Sequence, residues 1–373
     1  MFDIGSGSVG AAVIALSQTG KPKALFSVRE QMVFQENLKF DRFVSSMLDA
    51  LEKAARALQD FPLPPNSGKS FSIFFASPWY ASQTRAPKKT FSSPTVITEK
   101  LLRDTEEKEA EDFKAFEMKK LGNDAVVLET QNMQVKLNGY ETSSPEGKTA
   151  SVLETSFYVS IVPQKIMRAT KEKIAGLFHN RSVFFYTFSF STFAVVRDIF
   201  FHQKNFLSLD ISGEVTDVSV VRDNVLEETR TFPQGKNFLL RKIAGALGAS
   251  HEEALSYLAM AASKKLAEGE EQKMKKIMAD AGGEWLSGLQ KTLSGLSEGG
   301  SLPHDMFFAA DENVSAWFAE YLQGTSEIFP PDTPFAAHYL NAAFLSSFCE
   351  SGQGVARDPF LMIEAVFLSK LIE

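Results

Sequence analysis

Phe2-Asp3-Ile4-Gly5-Ser6-Gly7-Ser8-Val9 and Leu209-Asp210-Ile211-Ser212-Gly213-Glu214-Val215 follow one pattern, the first opening the front part of the chain and the second opening the back part. Each carries an aspartate near the end of an apolar strand, turns on small residues and returns as a second strand. The first returns through Val9 to Leu16, the second through Val215 to Val221. Small residues at such a turn let backbone N–H groups approach phosphate oxygens closely. A carboxylate at the strand end can hold magnesium through the ion's water shell. Two hairpins of this kind could clamp a nucleoside triphosphate between two lobes. The candidate nucleotide contacts are Asp3, Gly5, Ser6 and Gly7 from the first hairpin and Asp210, Ser212 and Gly213 from the second. Lys236, at the start of a helix, is a further candidate for a phosphate, and Asp3 and Asp210 are the candidates for magnesium. The plainer alternatives are hairpin caps for the two aspartates and an exposed side chain for Lys236.

Outward from the first hairpin, residues 23–33 read as a strand. Phe43, Val44, Met47, Leu48, Leu51, Ala54, Ala55 and Leu58 recur at helical spacing, and Pro62, Pro64 and Pro65 close that helix. Residues 71–76 are an apolar run short enough for a buried strand. Composition changes near Pro94. A highly charged helix over 98–121, strands at 125–130, 134–140 and 153–162, and a helix over 163–178 read together as an inserted α+β unit at 95–180. A strand at 183–188 and a helix at 191–201 resume the first lobe. Strands at 206–211 and 215–221 open the second. A helical stretch over 236–296, broken at Gly282-Gly283, comes next. Gly299-Gly300-Ser301 leads to a strand at 306–310 and a helix at 314–322. Pro330 to Pro334 precede a helix expected over 335–348. Asp358 and Pro359 mark the start of a last helix, as N-cap and first helical residue.

Length and composition fit this picture. The chain has 373 residues, 44% hydrophobic and 23% charged, enough for two or three cores. The net charge of −7 argues against nucleic acid as a partner. Lys88-Lys89, Lys264-Lys265 and the lysines at 273–276 read as solvated surface. The single cysteine, Cys349, excludes a disulfide framework and reads as a small buried hydrophobe in a helical pattern, suiting a cytoplasmic chain. Five scattered histidines lack zinc-ligand spacing. No apolar run reaches the roughly 18–20 residues of a spanning helix, and the start does not read as a signal peptide. The 33 phenylalanines call for large buried sheets or a wide apolar surface. The last helix is apolar almost all round and lacks the basic face of a membrane-surface helix. Packing against the second lobe is expected for it, docking on a partner or sister subunit or a membrane anchor being the alternatives.

The paired hairpins resemble the two phosphate loops of the actin-like ATPase superfamily. The unit at 95–180, with Met133-Gln134-Val135-Lys136-Leu137-Asn138-Gly139-Tyr140-Glu141 and the Ser-Pro-Glu-Gly-Lys loop, resembles the extra subdomain of that superfamily's FtsA/PilM branch. Residues 336–348 are similar to the family's final lobe helix. The resemblance implies an α/β, two-lobed actin-like (ribonuclease H-like) fold with an inserted α+β subdomain. Residues 1–94 and 181–205 would form the first lobe, 95–180 the insertion, 206–350 the second lobe and 351–373 a C-terminal helix. It further implies ATP and magnesium as cofactors. The implied role is a cytoplasmic scaffold at the inner membrane, with protein partners from type IV pilus assembly or cell division, and self-association. Several places depart from the family pattern. Ser212 and Glu214 stand where glycines are usual, and a Glu carboxylate repels phosphate. Phe308 to Asn313 lacks the glycines of an adenine loop. Gln234-Gly235-Lys236 holds one glycine of a usual pair. No Gln or acid falls at 188–193 to orient an attacking water. Weak or no ATPase activity is therefore expected, an active ATPase or phosphotransferase being the alternative.

Overall fold

The computed structural model describes residues 1–62, 70–121, 124–178, 182–296, 300–323 and 335–371. Pro64, Pro65, Gly299 and Pro330 to Pro334 lie outside these residues. Two of its three sheets repeat one topology. The first sheet takes the order β10 (Ser182–Thr187), β4 (Ser70–Phe75), β1 (Phe2–Ile4), β2 (Ser8–Ala15), β3 (Lys23–Gln31) and β16 (Glu350–Ser351). The second runs β15 (Ala336–Tyr339), β14 (Asp305–Ala310), β11 (Phe206–Ile211), β12 (Thr216–Arg222) and β13 (Val225–Phe232). In each, a central strand forms an antiparallel meander on one side and parallel pairs on the other. The register repeats too. Asp3 lies opposite Gly10 and Phe74, and Asp210 lies opposite Asp217 and Ala309.

Helices cover both faces of these sheets, which is why their parallel strands are continuous apolar runs. On the first sheet α1 (Phe40–Gln59) lays down a stripe of Phe43, Met47, Ala50, Leu51, Ala54 and Leu58. Beside it α3 (Gln164–Leu177) adds Ile166 and Ile174 to the same core. The other face receives α4 (Phe188–Ile199) and α10 (Pro359–Lys370). The second sheet is covered by α5 (Lys236–Leu247), α6 (His251–Ala262), α7 (Glu268–Leu296) and α8 (Glu312–Gln323). A short α9 (Ala342–Leu345) follows β15.

The third sheet is separate: β5 (Ala81–Arg85), β9 (Thr149–Pro163), β7 (Ala125–Leu137) and β8 (Tyr140–Glu141), with β6 (Lys88–Val96) also paired to β9. The charged helix α2 (Glu99–Leu121) docks on it through Ala110 and Phe113, against Phe157, Val159 and Ile161. The sheet reaches across the expected boundary at Pro94, because β5 and β6 pair with β9. In the other direction, α3 of the 95–180 stretch belongs to the core of the first sheet.

Helix α10 is buried from Pro359 to Leu368, as an all-round apolar helix requires. Its N-cap is Asp358, whose Oδ1 accepts from the Phe360 and Leu361 amides at 3.0 and 3.1 Å. The expected seat is the second lobe; α10 packs there against β14 and α9, and also against β2, β3 and α4 of the first lobe. Phe74, Phe193, Phe206, Phe307, Ile363 and Phe367 thereby share one core across both lobes.

Three local expectations are corrected. Residues 335–348 are not one helix. Ala336–Tyr339 pairs parallel with β14, and Asn341 then caps α9 by accepting from the Phe344 amide at 2.7 Å. Cys349 is buried but follows that helix rather than lying in it. The break in the helical stretch is not Gly282-Gly283. Gly248, in the left-handed region at φ 63°, ends α5, whereas Gly282 sits inside α7, where a methyl group would lie 1.9 Å from the Tyr321 ring.

A buried carboxyl joins the third sheet to the first lobe. Glu129 on β7 accepts from the Thr187 amide at 2.7 Å and from the Thr187 hydroxyl at 2.5 Å. Burial outweighs these bonds and pushes its pKa from 4.5 to about 7. The native state therefore holds a proton that the unfolded chain releases, so Glu129 lowers stability as pH rises from about 4.5 to about 7, and the penalty is complete above that. The shift corresponds to about 3 kcal/mol at 1.36 kcal/mol per unit. Glu129→Gln, which keeps the accepting oxygen, is expected to flatten this fall. Urea unfolding between pH 5 and pH 8 measures it, and an unchanged pH slope in the variant contradicts the assignment.

Candidate functional site at the cleft between the lobes

The duplicated hairpins place their turns face to face. Ser6 Oγ lies 2.7 Å from Ser212 Oγ, and the Glu214 amide donates to Ser6 Oγ at 2.8 Å. The backbones touch: a methyl group on Gly213 would stand 2.4 Å from Gly7 Cα, and one on Gly7 would stand 2.8 Å from Gly213 Cα. Glycine is required at both positions for this approach. The Met32 amide at the end of β3 holds the first turn through Gly7 O at 2.9 Å. The Lys236 and Asn237 amides at the head of α5 hold the second, through Ser212 O and Gly213 O. Glu214 accepts from Asn237 Nδ2 at 2.7 Å and from Arg241 Nη2 at 2.6 and 2.8 Å.

Behind the turns lies a chamber of about 20 Å³, room for about one water molecule. Asp3, Gly5, Ser6, Gly7, Asp210, Ser212 and Gly213 all line it, together with Arg29, Asp311 and Phe360. Arg29 dominates the chamber. Its Nη2 donates to Asp3 at 2.7 Å and to Asp358 Oδ1 at 3.0 Å, its Nε to Asp358 Oδ2 at 2.5 Å, and its Nη1 to Ser8 Oγ at 3.0 Å. The guanidinium carbon is 5.3 Å from the centre of the Phe360 ring. Gly10 opens this seat, since a methyl group there would be 2.9 Å from Arg29 Nη2.

Charge in the chamber is tightly balanced. Burial raises the pKa of Asp3 although Arg29 pulls it down. Burial, reinforced by Asp217, Asp3 and Asp311, pushes Asp210 well above the carboxylate range, and its Oδ1 has no hydrogen-bond partner among the described residues. Burial moves Glu364 of α10 the same way, with Asp3 adding to the effect. Burial alone would also raise Asp311, but Lys236 and Arg29 outweigh it and hold its pKa low.

Lys236 lies outside the chamber, buried and ion-paired to Asp311. It lines an adjoining open cleft of about 830 Å³ with Val33, Phe34, His251 and Leu255. There Phe34 crosses from the first lobe and stacks on His251 with ring centres 4.0 Å apart at 18°. Arg241 packs its guanidinium carbon 5.2 Å from the centre of the same ring and donates to Gln35 O at 3.0 Å.

The fold implies ATP and magnesium, and the residues present do not fit them. A polyphosphate between the turns would displace the Gly7–Gly213 backbone contact. A divalent ion at Asp3 would meet the Arg29 guanidinium already bonded there, and like charges repel. Among the described residues no cluster of His, Cys, Asp or Glu has metal-holding geometry. No phosphoryl-transfer step follows from this arrangement. Sequence reasoning brought together the seven hairpin residues but missed Arg29, Asp311, Phe34 and Arg241, and took Asp358 for a helix cap only. The signal for Arg29 in the sequence is its alternation with Val28 along β3, which names a face but not the partners on it.

No family model matches the chain, and no curated protein does. Among solved structures it is similar to a chain of the PilM-PilN type IV pilus biogenesis complex, with TM-score 0.64 and 11% identity, over 98% of this chain and 96% of that one. It is also similar to the MamK double helical filament, TM-score 0.47 and 9% identity, over 100% and 97% of the two chains. The ethanolamine utilization protein EutJ from Carboxydothermus hydrogenoformans gives TM-score 0.47 and 9% identity, over 99% and 88%. The chain has the actin-like ATPase fold.

Gly213→Ala forces a methyl group into Gly7 and must part the turns. The expected loss is about 1–3 kcal/mol, the range of an overpacked core, read by urea unfolding. A variant as stable as the parent contradicts the contact.

Proposed function

We propose that this protein is an actin-like adaptor that works through its surfaces rather than through chemistry in its cleft. It would bind protein partners at the inner membrane, in type IV pilus assembly first and cell division second, and reach the membrane through them. The observation that carries the reading is the end-to-end match in fold to a chain from a pilus biogenesis complex. Two features support it. The cleft leaves no room between its turns for phosphate, which removes the usual ground for assigning an ATPase or kinase. Among the described residues no helix is long and apolar enough to cross a membrane, and α10, the one strongly apolar helix near the end, is already buried between the lobes.

The third sheet with α2 is the proposed partner-binding module, an inserted subdomain of the FtsA/PilM kind. It is joined to the first lobe at Glu129 and Thr187 and leaves Tyr140 and Val96 exposed, at 81% and 52%. Large apolar or aromatic side chains left in water on such a module are where a partner's anchors dock.

The test is affinity capture from detergent-solubilised membranes with the full-length protein as bait, first unaltered and then carrying Tyr140→Asp and Val96→Asp. The unaltered bait is expected to retain at least one membrane-spanning protein. The double variant should lose it by roughly tenfold or more in affinity, about 1.4 kcal/mol. Capture of no membrane protein, or retention undiminished in the variant, contradicts the proposal.

A further inference from the structure

Deepening that reading, and resting on it only for the statement that the protein works through its surfaces rather than through chemistry in its cleft, we propose that the chain locks its two turns together at the inner end of the cleft, the outer cleft staying open. Arg29 supplies the positive charge that a divalent ion would bring, Phe34 supplies the stacked ring, and the two turns bond to each other. The lobes are thereby one closed body without any small ligand.

Three independent ties carry this. The turns meet through Ser6 and Ser212 at 2.7 Å and through the Glu214 amide on Ser6 Oγ at 2.8 Å. Gly7 and Gly213, at positions where glycine would let a backbone approach a ligand, here let one backbone approach another. Arg29 joins Asp3 on the first strand to Asp358 at the head of α10, and α10 packs against both lobes. At the mouth, Arg241 of the second lobe holds Gln35 O and the Phe34 ring of the first, while His251 stacks on Phe34. A bound ion or nucleotide exchanges with solvent and stabilises only in proportion to its concentration. A guanidinium and a phenyl ring fixed to the chain are present at a constant effective concentration and cannot leave.

The test combines calorimetry with hydrogen exchange on the full chain. Titration of the purified protein with millimolar Mg-ATP and Mg-ADP is expected to give no binding heat and no change in Tm. Amides 5–7 and 212–214 should exchange slowly with or without nucleotide. Ser6→Ala should speed exchange at both turns by about tenfold, the effect of one lost hydrogen bond, with the fold otherwise intact. Arg29→Met should act in the same direction and lower Tm. Binding heat with a raised Tm in the unaltered protein, or fast exchange at its turns, overturns the lock. So does a Ser6→Ala chain whose exchange rates at both turns match those of the unaltered one. The two readings fail separately. Mg-ATP binding with membrane-protein capture intact sinks the lock alone, and lost capture with silent calorimetry sinks the adaptor alone.

Discussion

The contact of two glycines, Gly7 in one lobe and Gly213 in the other, is the constraint on which the cleft depends. Duplicated topology brings equivalent hairpins to the same place, so their turns must either hold something between them or touch. Here they touch. Once the backbones are that close, the groups around them have to be satisfied within the protein. Ser6 and Ser212 bond to each other, Glu214 turns to Asn237 and Arg241, and Arg29 neutralises the acids that remain. The buried carboxyls without a cation of their own, Asp210 and Glu364, are driven toward the neutral form.

The same economy shows in α10. A helix apolar on every side has to be enclosed, and the seam between the lobes encloses α10. Asp358 begins that helix, caps it and binds Arg29, so one carboxylate fixes the helix end, the chamber and the seam together. A shared phenylalanine-rich core then runs through the join. A molecule fastened in this way between its lobes and at its mouth offers a partner fixed surfaces, and the third sheet is itself tied to both lobes, through Val162 in the core of the first sheet and the Thr84 hydroxyl, which donates to Leu226 O.

Much of the fold was legible because its signals are local. The hairpins at Asp3 and Asp210, the stripe on α1 and the Asp358-Pro359 start of α10 each announce themselves within a few residues. What failed was set by distant partners. Residues 336–339 are a strand only because β14 lies beside them, and Val225–Phe232 escaped notice because its middle, Glu227 to Arg230, is polar on an edge strand. Gly282 looks like a break but is the room left for Tyr321. At the site, the hairpin residues were readable and their environment was not. Arg29, Asp311 and Phe360 are far apart in sequence, and only the closed structure puts them in one chamber.

Disulfide trapping of the turns measures that closure most directly. Ser6→Cys and Ser212→Cys in one chain would put two thiols where the hydroxyl oxygens are 2.7 Å apart, near the roughly 2.0 Å separation of bonded sulfurs. The native Cys349 is buried and does not compete. The account predicts a disulfide that forms under mild oxidation in the nucleotide-free protein, at the same rate with Mg-ATP present. A pair that stays reduced, or one whose oxidation Mg-ATP blocks, would mean that the turns stand apart and that the cleft belongs to a ligand after all.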